Sequence, residues 1–442
     1  MYTMDYRAAR EYVDRINSRK GSVLGLENIK NLLKCMGNPQ NDTPIVHVAG
    51  TNGKGSFTAM LSSVLSDAGY NTGIYVSPSV FDYNERIQIN GNNISDDEYA
   101  YEIGQIKKCI DENFPDENEQ PTAFEIETAA AFAFFMRKKC DIAIIETGMG
   151  GRDDATNVCD NPVMSVIMSI SMDHMTFLGD TIEKIAACKS GIIKNERPVV
   201  VYGQSEEVVN TIMKEAALKH SKAVITKPAE NVIYDCTETS FSYTDADAHK
   251  YKDMRIGLCG TYQKDNCAVV IEAVNILNSN GFNISLKHLY SGVARATWNG
   301  RFERIGKNPD FYIDGAHNPG AALRLRESIE KYFEGKKLIY IEGVLADKDY
   351  EQIEKQLAGK AEYIYTVTPD NPRALPAEKL AECISVYNSN VSAVKSIDKA
   401  VEMAIDKAKS IEKESGEEAV IISFGSLSYL ADVKKAYSNK II

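Results

Sequence analysis

Residues 45–56, Ile-Val-His-Val-Ala-Gly-Thr-Asn-Gly-Lys-Gly-Ser, constrain this chain more than any other stretch. The apolar run 45–49 lies between Pro44 and Gly50, which predicts a short buried strand. Apolar side chains at Phe57, Met60, Leu61, Val64 and Leu65 recur at helical steps and predict a helix over 56–68, closed by Gly69. Between strand and helix stand three glycines and one lysine. Such a loop points its backbone N–H groups and the positive end of the helix at one spot, which suits a phosphate. Lys54 adds a mobile charge for outer phosphates, and Ser56 a hydroxyl where a magnesium ion would sit. The spacing departs from G-x-x-x-x-G-K-[ST], because Gly55 separates Lys54 from Ser56.

The rest of the chain repeats the alternation. Near-continuous apolar runs at 72–76, 140–146, 163–170 and 198–202 are separated by helical patterns, which predicts a parallel sheet covered on both faces. Ligands of such sheets bind beyond the carboxyl ends of the strands. There the first four strands deliver Lys54 with Ser56, then Ser77, Glu146 and His174. A hydroxyl, a carboxylate and an imidazole beside a triphosphate cradle make a candidate magnesium site. Taken singly, Ser77 before Pro78 is also a turn residue, Glu146 a partner for Arg152, and His174 a structural histidine.

Residues 1–43 carry two amphipathic helices. Ser95 followed by Glu98 marks a capped helix start. Residues 122–137 are apolar on most faces and predict a buried helix. Residues 228–258 suggest a small antiparallel patch or an edge extension. The helix opening near Gly260 carries Gln263 and Asn266 in its first turn; their amides suit a base or a phosphate, and equally an ordinary polar helix start. Around Trp298–Arg301 a second alternation begins, with strands at 310–313, 338–342, 363–367 and 419–423. The expected architecture is α/β: a P-loop-containing parallel-sheet ATPase domain over 1–297, then a Rossmann-like α/β domain over 298–442. The second domain also collects polar residues at its strand ends: Asp314, His317, Asp347 with Lys348, Arg373 and Ser426.

A chain of 442 residues fits two domains. Its net charge of −12 argues against a general nucleic-acid binder. The first 20 residues are polar and charged, unlike a secretion signal, and the longest apolar run, 129–136, is too short for a bilayer. Nine cysteines with no C-x-x-C spacing read as reduced thiols of a cytoplasmic protein.

Several stretches, in order, resemble the folylpolyglutamate synthase and dihydrofolate synthase branch of the Mur ligase superfamily. They are the loop 50–56, Asn84-Glu-Arg-Ile87, Glu146-Thr-Gly-Met-Gly-Gly-Arg152, Asp154-Ala-Thr-Asn157, Asp173-His174 and Phe177-Leu-Gly-Asp180. They continue with Lys189-Ser-Gly-Ile-Ile-Lys194, Trp298-Asn-Gly-Arg301, Asp314-Gly-Ala-His-Asn-Pro319 and Gly425-Ser-Leu427. The resemblance implies an ATP-dependent, magnesium-using ligase that joins L-glutamate to folate or dihydropteroate, or to both, through an acyl phosphate. The expected partners are the pterin acid and L-glutamate, with no nucleic acid and no membrane, and the expected state is a monomer.

Residue by residue, the resemblance implies ATP contacts at Gly50, Asn52, Gly53, Lys54, Gly55, Ser56, Asn266, Arg301 and Asp314. Metal ligands would be Ser77, Glu146 and His174, and the pterin-side residues Thr122, Ala123, Phe124, Glu125 and Asp153. Catalytic roles fall to Lys54, Lys189 and His317. Lys189 matches a lysine carbamylated in the family; from its setting alone it reads as a solvated helix lysine. Phe124 suits stacking on a pterin ring, and equally the core of a buried helix. Two departures, Ser79-Val80 after Ser77-Pro78 and Asp153 in place of an apolar residue, bear on which folate is preferred. Two rivals remain: another Mur-type amino-acid ligase, for whose nucleotide-sugar domain little chain precedes residue 50, and a nucleotide-binding protein without ligase activity.

Overall fold

The structure is a computed structural model that describes residues 4–21, 23–235 and 238–441. It divides into two compact units. The first comprises residues 1–230, 242–254 and 265–296, and the second 231–241, 255–264 and 297–442.

The first unit is built on eight strands: β1 (Ile45–Ala49), β2 (Thr72–Tyr75), β3 (Ile87–Ile89), β4 (Asn92–Asn93), β5 (Ile142–Glu146), β6 (Met164–Ile167), β7 (Val199–Val201) and β8 (Ala223–Ile225). Their order is β4-β3-β2-β5-β1-β6-β7-β8. β2, β5, β1, β6, β7 and β8 pair in parallel, and β3 and β4 add an antiparallel edge. Every residue of β1, β2, β5, β6 and β7 is buried, as continuous apolar strands require. The chain leaves β1 toward β2 on one side and leaves β6 toward β7 on the other. That reversal opens a crevice above the carboxyl ends of β1 and β6.

One face of the sheet is covered by the helices Tyr6–Lys20, Glu27–Cys35, Asp96–Asn113 and Ala123–Arg137, whose apolar side chains form one core with Tyr75, Ile87, Ala143 and Ile145. Phe135 is wholly enclosed there, and its ring lies against Gly73, where a Cβ would clash. A second core joins Ala49, Ile167, Val199 and Val201 to the helices Ile182–Lys189 and Glu206–Leu218.

Three further strands, β9 (Glu230–Tyr234), β10 (Thr239–Thr244) and β11 (Lys250–Ile256), form a sheet of their own rather than an edge extension. The second unit carries β12 (Glu303–Gly306), β13 (Asp310–Ile313), β14 (Lys337–Glu342), β15 (Tyr363–Thr366), β16 (Val391–Ala393) and β17 (Ala419–Phe424), in the order β12-β13-β17-β14-β15-β16. All pairs are parallel except β12 with β13. Phe302, Tyr312, Tyr340 and Phe424 lie at the centre of its core.

Three expectations need correction. The first glycine-loop helix begins at Lys54, two residues before the predicted start, because Gly53 takes the left-handed φ of 88° and turns the chain directly into the helix. β6 stops at Ile167, although the apolar run continues to Ile170. Finally, the cysteines are not all thiols: Cys35 and Cys109 form a disulfide, with Cα atoms 6.5 Å apart, joining two neighbouring helices. Nothing in the spacing of the cysteines signals a pair 74 residues apart. Among the described residues no helix is long and apolar enough to cross a membrane.

Candidate functional site

The carboxyl end of β1 leads into Gly50–Gly53, and this loop is braced from the segment after β6. The Thr51 and Asn52 amides donate to the Ser169 carbonyl at 2.8 and 3.1 Å. Thr51 Oγ1 donates to the Ser171 carbonyl, and Asn52 Nδ2 reaches Ser171 Oγ at 3.2 Å. Gly53 is required twice over: for its φ, and because a Cβ there would lie 2.7 Å from Asn266 Oδ1. Asn266, 2 % exposed at the start of the helix Gln263–Ser279, therefore faces the loop rather than merely opening its own helix. Ser56 is buried in the first turn of the helix Lys54–Asp67.

Three charged groups meet over this loop. Lys54 Nζ donates to the Gly50 and Thr51 carbonyls at 2.9 and 3.3 Å and lies 3.6 Å from Glu146 Oε1. Glu146 ends β5, the strand beside β1, so register brings it there. Its proposed rival partner, Arg152, is turned away and donates to the Ala187 carbonyl. Lys189 is 4 % exposed, not solvated, and its Nζ donates to the Gly50 carbonyl at 2.9 Å. Burial, reinforced by the charge of Lys54, pushes its pKa down to about 7.

The other expected metal ligands are less enclosed. Ser77 follows β2 and enters a cis bond to Pro78. His174 lies beyond the end of β6, in a left-handed conformation, with its side chain 42 % exposed and Nε2 3.9 Å from Asp173 Oδ2. Asp173 is also among the charges that act on Lys189.

On the expected pterin side, Thr122 and Glu125 cap their own helix. Glu125 Oε2 accepts from Thr122 N and Oγ1 at 2.7 and 3.0 Å, while Oε1 accepts from Ile29 N at 3.1 Å. Ala123 is buried. Phe124 is partly buried and presses its ring edge into the space at Gly148, in the loop after Glu146. Asp153 is exposed, and its carbonyl accepts the Gly25 amide.

In the second unit, Asp314 directly follows β13 with 5 % exposure. Its oxygens accept the Phe302 and Ala316 amides, both at 2.8 Å. Burial pushes its pKa up, and Arg301 with these donors opposes that rise. Arg301 packs where a Cβ at Gly315 would sit. His317 Nδ1 donates to the Gly315 carbonyl at 2.8 Å, and Asn318 caps the following helix. Arg301, Asp314 and His317 are thus one cluster at a strand end.

Sequence reasoning missed Ser169 and Ser171, the braces of the loop; the available signal was Ser169, which interrupts the apolar run 163–170, with Ser171 just beyond its end. It also gave no role to Asp154, although the residue stands in a motif quoted above.

The geometry agrees with what comparison finds. Residues 48–274 match the Mur ligase middle domain, and residues 300–427 the Mur ligase glutamate ligase domain. A dihydrofolate synthase/folylpolyglutamate synthase of Bacillus subtilis (strain 168) is 36% identical over 436 residues, covering 97% of this chain and 98% of the relative. A folylpolyglutamate synthase structure from Mycobacterium tuberculosis, complexed with ADP and AMPPCP, superposes with a TM-score of 0.87 at 26% identity over 99% of both chains. Escherichia coli FolC in complex with DHPP and ADP gives 0.85 at 26% identity over 98% of each. A glycine loop with its lysine, followed by a second α/β unit of this kind, defines a Mur-type ATP-dependent ligase. Within that class the chain belongs to the folylpolyglutamate synthase/dihydrofolate synthase family, and the reading as a nucleotide binder without ligase activity is set aside.

Proposed function

We propose that this ligase uses ATP to join L-glutamate to the carboxylate of a pterin acid, either dihydropteroate or a reduced folate, and that it accepts both. The observation that carries the reading is the meeting of Lys54, Glu146, Lys189 and Asn266 around Gly50–Gly53. The acid's carboxylate attacks the γ-phosphate, giving an acyl phosphate and ADP. The amine of glutamate then attacks the acyl carbon, and phosphate leaves. Phosphoryl transfer of this kind asks for alignment and charge neutralisation rather than a protein nucleophile. Lys54 supplies neutralisation by leaving the loop carbonyls for the β- and γ-phosphates. ATP binding is assigned to residues 1–297, and the admission of glutamate to residues 298–442, which match the glutamate ligase domain and carry the cluster of Arg301, Asp314 and His317.

Ser77, Glu146 and His174 would hold magnesium. The donor set fits: a hydroxyl and a carboxylate are hard oxygen ligands, and Glu146 stands at the mouth of the loop. Among the described residues no three His, Cys, Asp or Glu side chains gather as a metal cluster, so serine and phosphate oxygens have to complete the shell. Bound magnesium would offset charge on the phosphates. The protein works as a cytoplasmic monomer.

The test offers labelled glutamate and ATP with dihydropteroate in one reaction and tetrahydrofolate in another. Label incorporated into both acids, with one phosphate released per bond, is the expected result. Phosphate release without incorporation, or neither with either acid, overturns the proposal.

A further inference from the structure

His47 is a polar residue in the middle of an apolar, fully buried strand. It pairs in register with Ile145 of β5 and Ser165 of β6, and its side chain is 0 % exposed. Among the described residues the ring has one hydrogen-bond partner: Nε2 lies 2.8 Å from Thr156 Oγ1. Thr156 in turn reaches Asp154. Its hydroxyl and its amide both donate to Asp154 Oδ1, at 2.6 and 3.1 Å. The other oxygen, Oδ2, accepts the Met149 amide at 2.7 Å.

The proton positions follow from these contacts. Burial pushes the Asp154 pKa up, but the Met149 and Thr156 amides and the Thr156 hydroxyl all oppose that rise. With both oxygens accepting backbone N–H groups, the carboxylate is the acceptor of the relay. The Thr156 hydroxyl spends its proton on Asp154 and can only accept from the histidine. His47 is therefore the neutral tautomer carrying its proton on Nε2, and Nδ1 has no partner among the described residues. Full burial, with Lys194 adding a smaller effect, pushes the imidazole pKa down to about 3, so this form holds at any working pH.

The chain runs from the strand that feeds the glycine loop to the segment 147–151 that follows Glu146. That segment contains Gly148, whose missing side chain makes room for the Phe124 ring. We propose that His47, acting through Thr156 and Asp154, is a positioning residue for the pterin-acid side of the site. It fixes the ring surface formed by Gly148, Met149 and Phe124 at a set distance from the phosphate loop. This rests on the proposed function for its substrate, but the hydrogen-bond relay does not.

Two experiments test it. In the first, His47→Met keeps the volume and removes the donor, whereas His47→Gln restores an N–H directed at Thr156. The Met variant should raise KM for the pterin acid about tenfold, the size expected for one buried hydrogen bond, with KM for ATP within about twofold. The Gln variant should recover most of that loss. An unchanged pterin KM in the Met variant, or equal losses for both substrates in both variants, overturns the positioning role. In the second, 15N NMR of histidine-labelled wild-type protein reads the ring directly, His47 being assigned by its loss in the Gln variant. A neutral ring protonated on Nε2 from pH 5 to 9 is expected. Titration in that range, or a proton on Nδ1, refutes the relay even where turnover is absent, a result that would count separately against the proposed function.

Discussion

The two parallel sheets treat their buried carboxylates differently. In the first unit each has partners. Glu146 faces Lys54, Asp154 takes three hydrogen bonds from Thr156 and Met149, and Glu127, 3 % exposed, pairs with Arg86 and the Tyr83 hydroxyl. In the second unit Asp314 is partnered likewise, but Glu342, the last residue of β14, and Glu354, on the helix Tyr350–Leu357, are both 0 % exposed. None of their four oxygens meets a donor among the described residues. Their electrostatic neighbours include Tyr340, Cys383 and Tyr429, none of them a cation. Burial alone therefore does not set the charge of these groups; the company does. The partnered carboxylates have a cation or donors to offset their burial, while the Glu342–Glu354 pair lowers its cost by keeping a proton between its members.

The sharpest test on the first side is Lys54→Ala. The Lys54 ammonium touches two loop carbonyls and Glu146 rather than a hydrophobic core, so the fold should survive its loss, yet it is the cation nearest Glu146 in the phosphate loop. Ligation should fall about a thousandfold, comparable to removing a charge-stabilising donor from an active site, with an unchanged circular dichroism spectrum. Near-normal turnover would remove Lys54 from the phosphate role. Next in size is Arg86→Met. It leaves Glu127 buried with only the Tyr83 hydroxyl, so urea unfolding should show a loss of about 3 kcal/mol. A loss under about 0.5 kcal/mol would mean that this carboxylate, too, simply takes up a proton.

The second side makes the opposite prediction. Burial raises both Glu342 and Glu354 above the usual 4.5, Glu354 to about 7. The folded protein holds a proton that the unfolded chain releases near pH 4.5. The stability contributed is complete below that pH and is lost as pH rises through about 7. Wild type should lose about 2 kcal/mol from Glu354 alone between pH 5.5 and 8.5, and Glu342, raised well above its usual value, adds to the same slope. The double substitution Glu342→Gln with Glu354→Gln should flatten the slope and leave the protein more stable than wild type at the upper pH. A slope shared by both proteins would place the titration elsewhere.

How far these features could be read in advance depends on their range. The parallel sheets were legible because each central strand is an unbroken apolar run. The short strands β8, β12 and β16 were not, since three or four half-exposed residues leave little pattern. Lys54, Glu146 and Asp314 followed from one rule, that functional groups gather at the carboxyl ends of parallel strands. Asn266 stayed ambiguous until its contact with Gly53 was visible. His47 with Thr156, Cys35 with Cys109 and Glu342 with Glu354 are tertiary pairs whose members look unremarkable alone. A histidine inside an apolar strand was the only one of these with a local signal, and its meaning depended on a residue 109 positions away.

The smallest expected effect concerns His174, and it separates metal binding from structure. Its side chain is 42 % exposed and packs into no core, so His174→Ala should cost little stability. Its nearby Asp173 lies close enough to bear on Lys189, which ties this segment electrically to the phosphate loop. If His174 is a magnesium ligand, the alanine variant should need about ten times more magnesium for half-maximal ligation, a loss typical of weakening one metal contact. Its rate at saturating magnesium should return close to wild type. A magnesium titration superimposable on wild type would take His174 out of the metal set. Ser77 and Glu146 would then remain as protein ligands, and the exposed imidazole would be a turn residue whose left-handed backbone, not its ring, was the reason for its place in the chain.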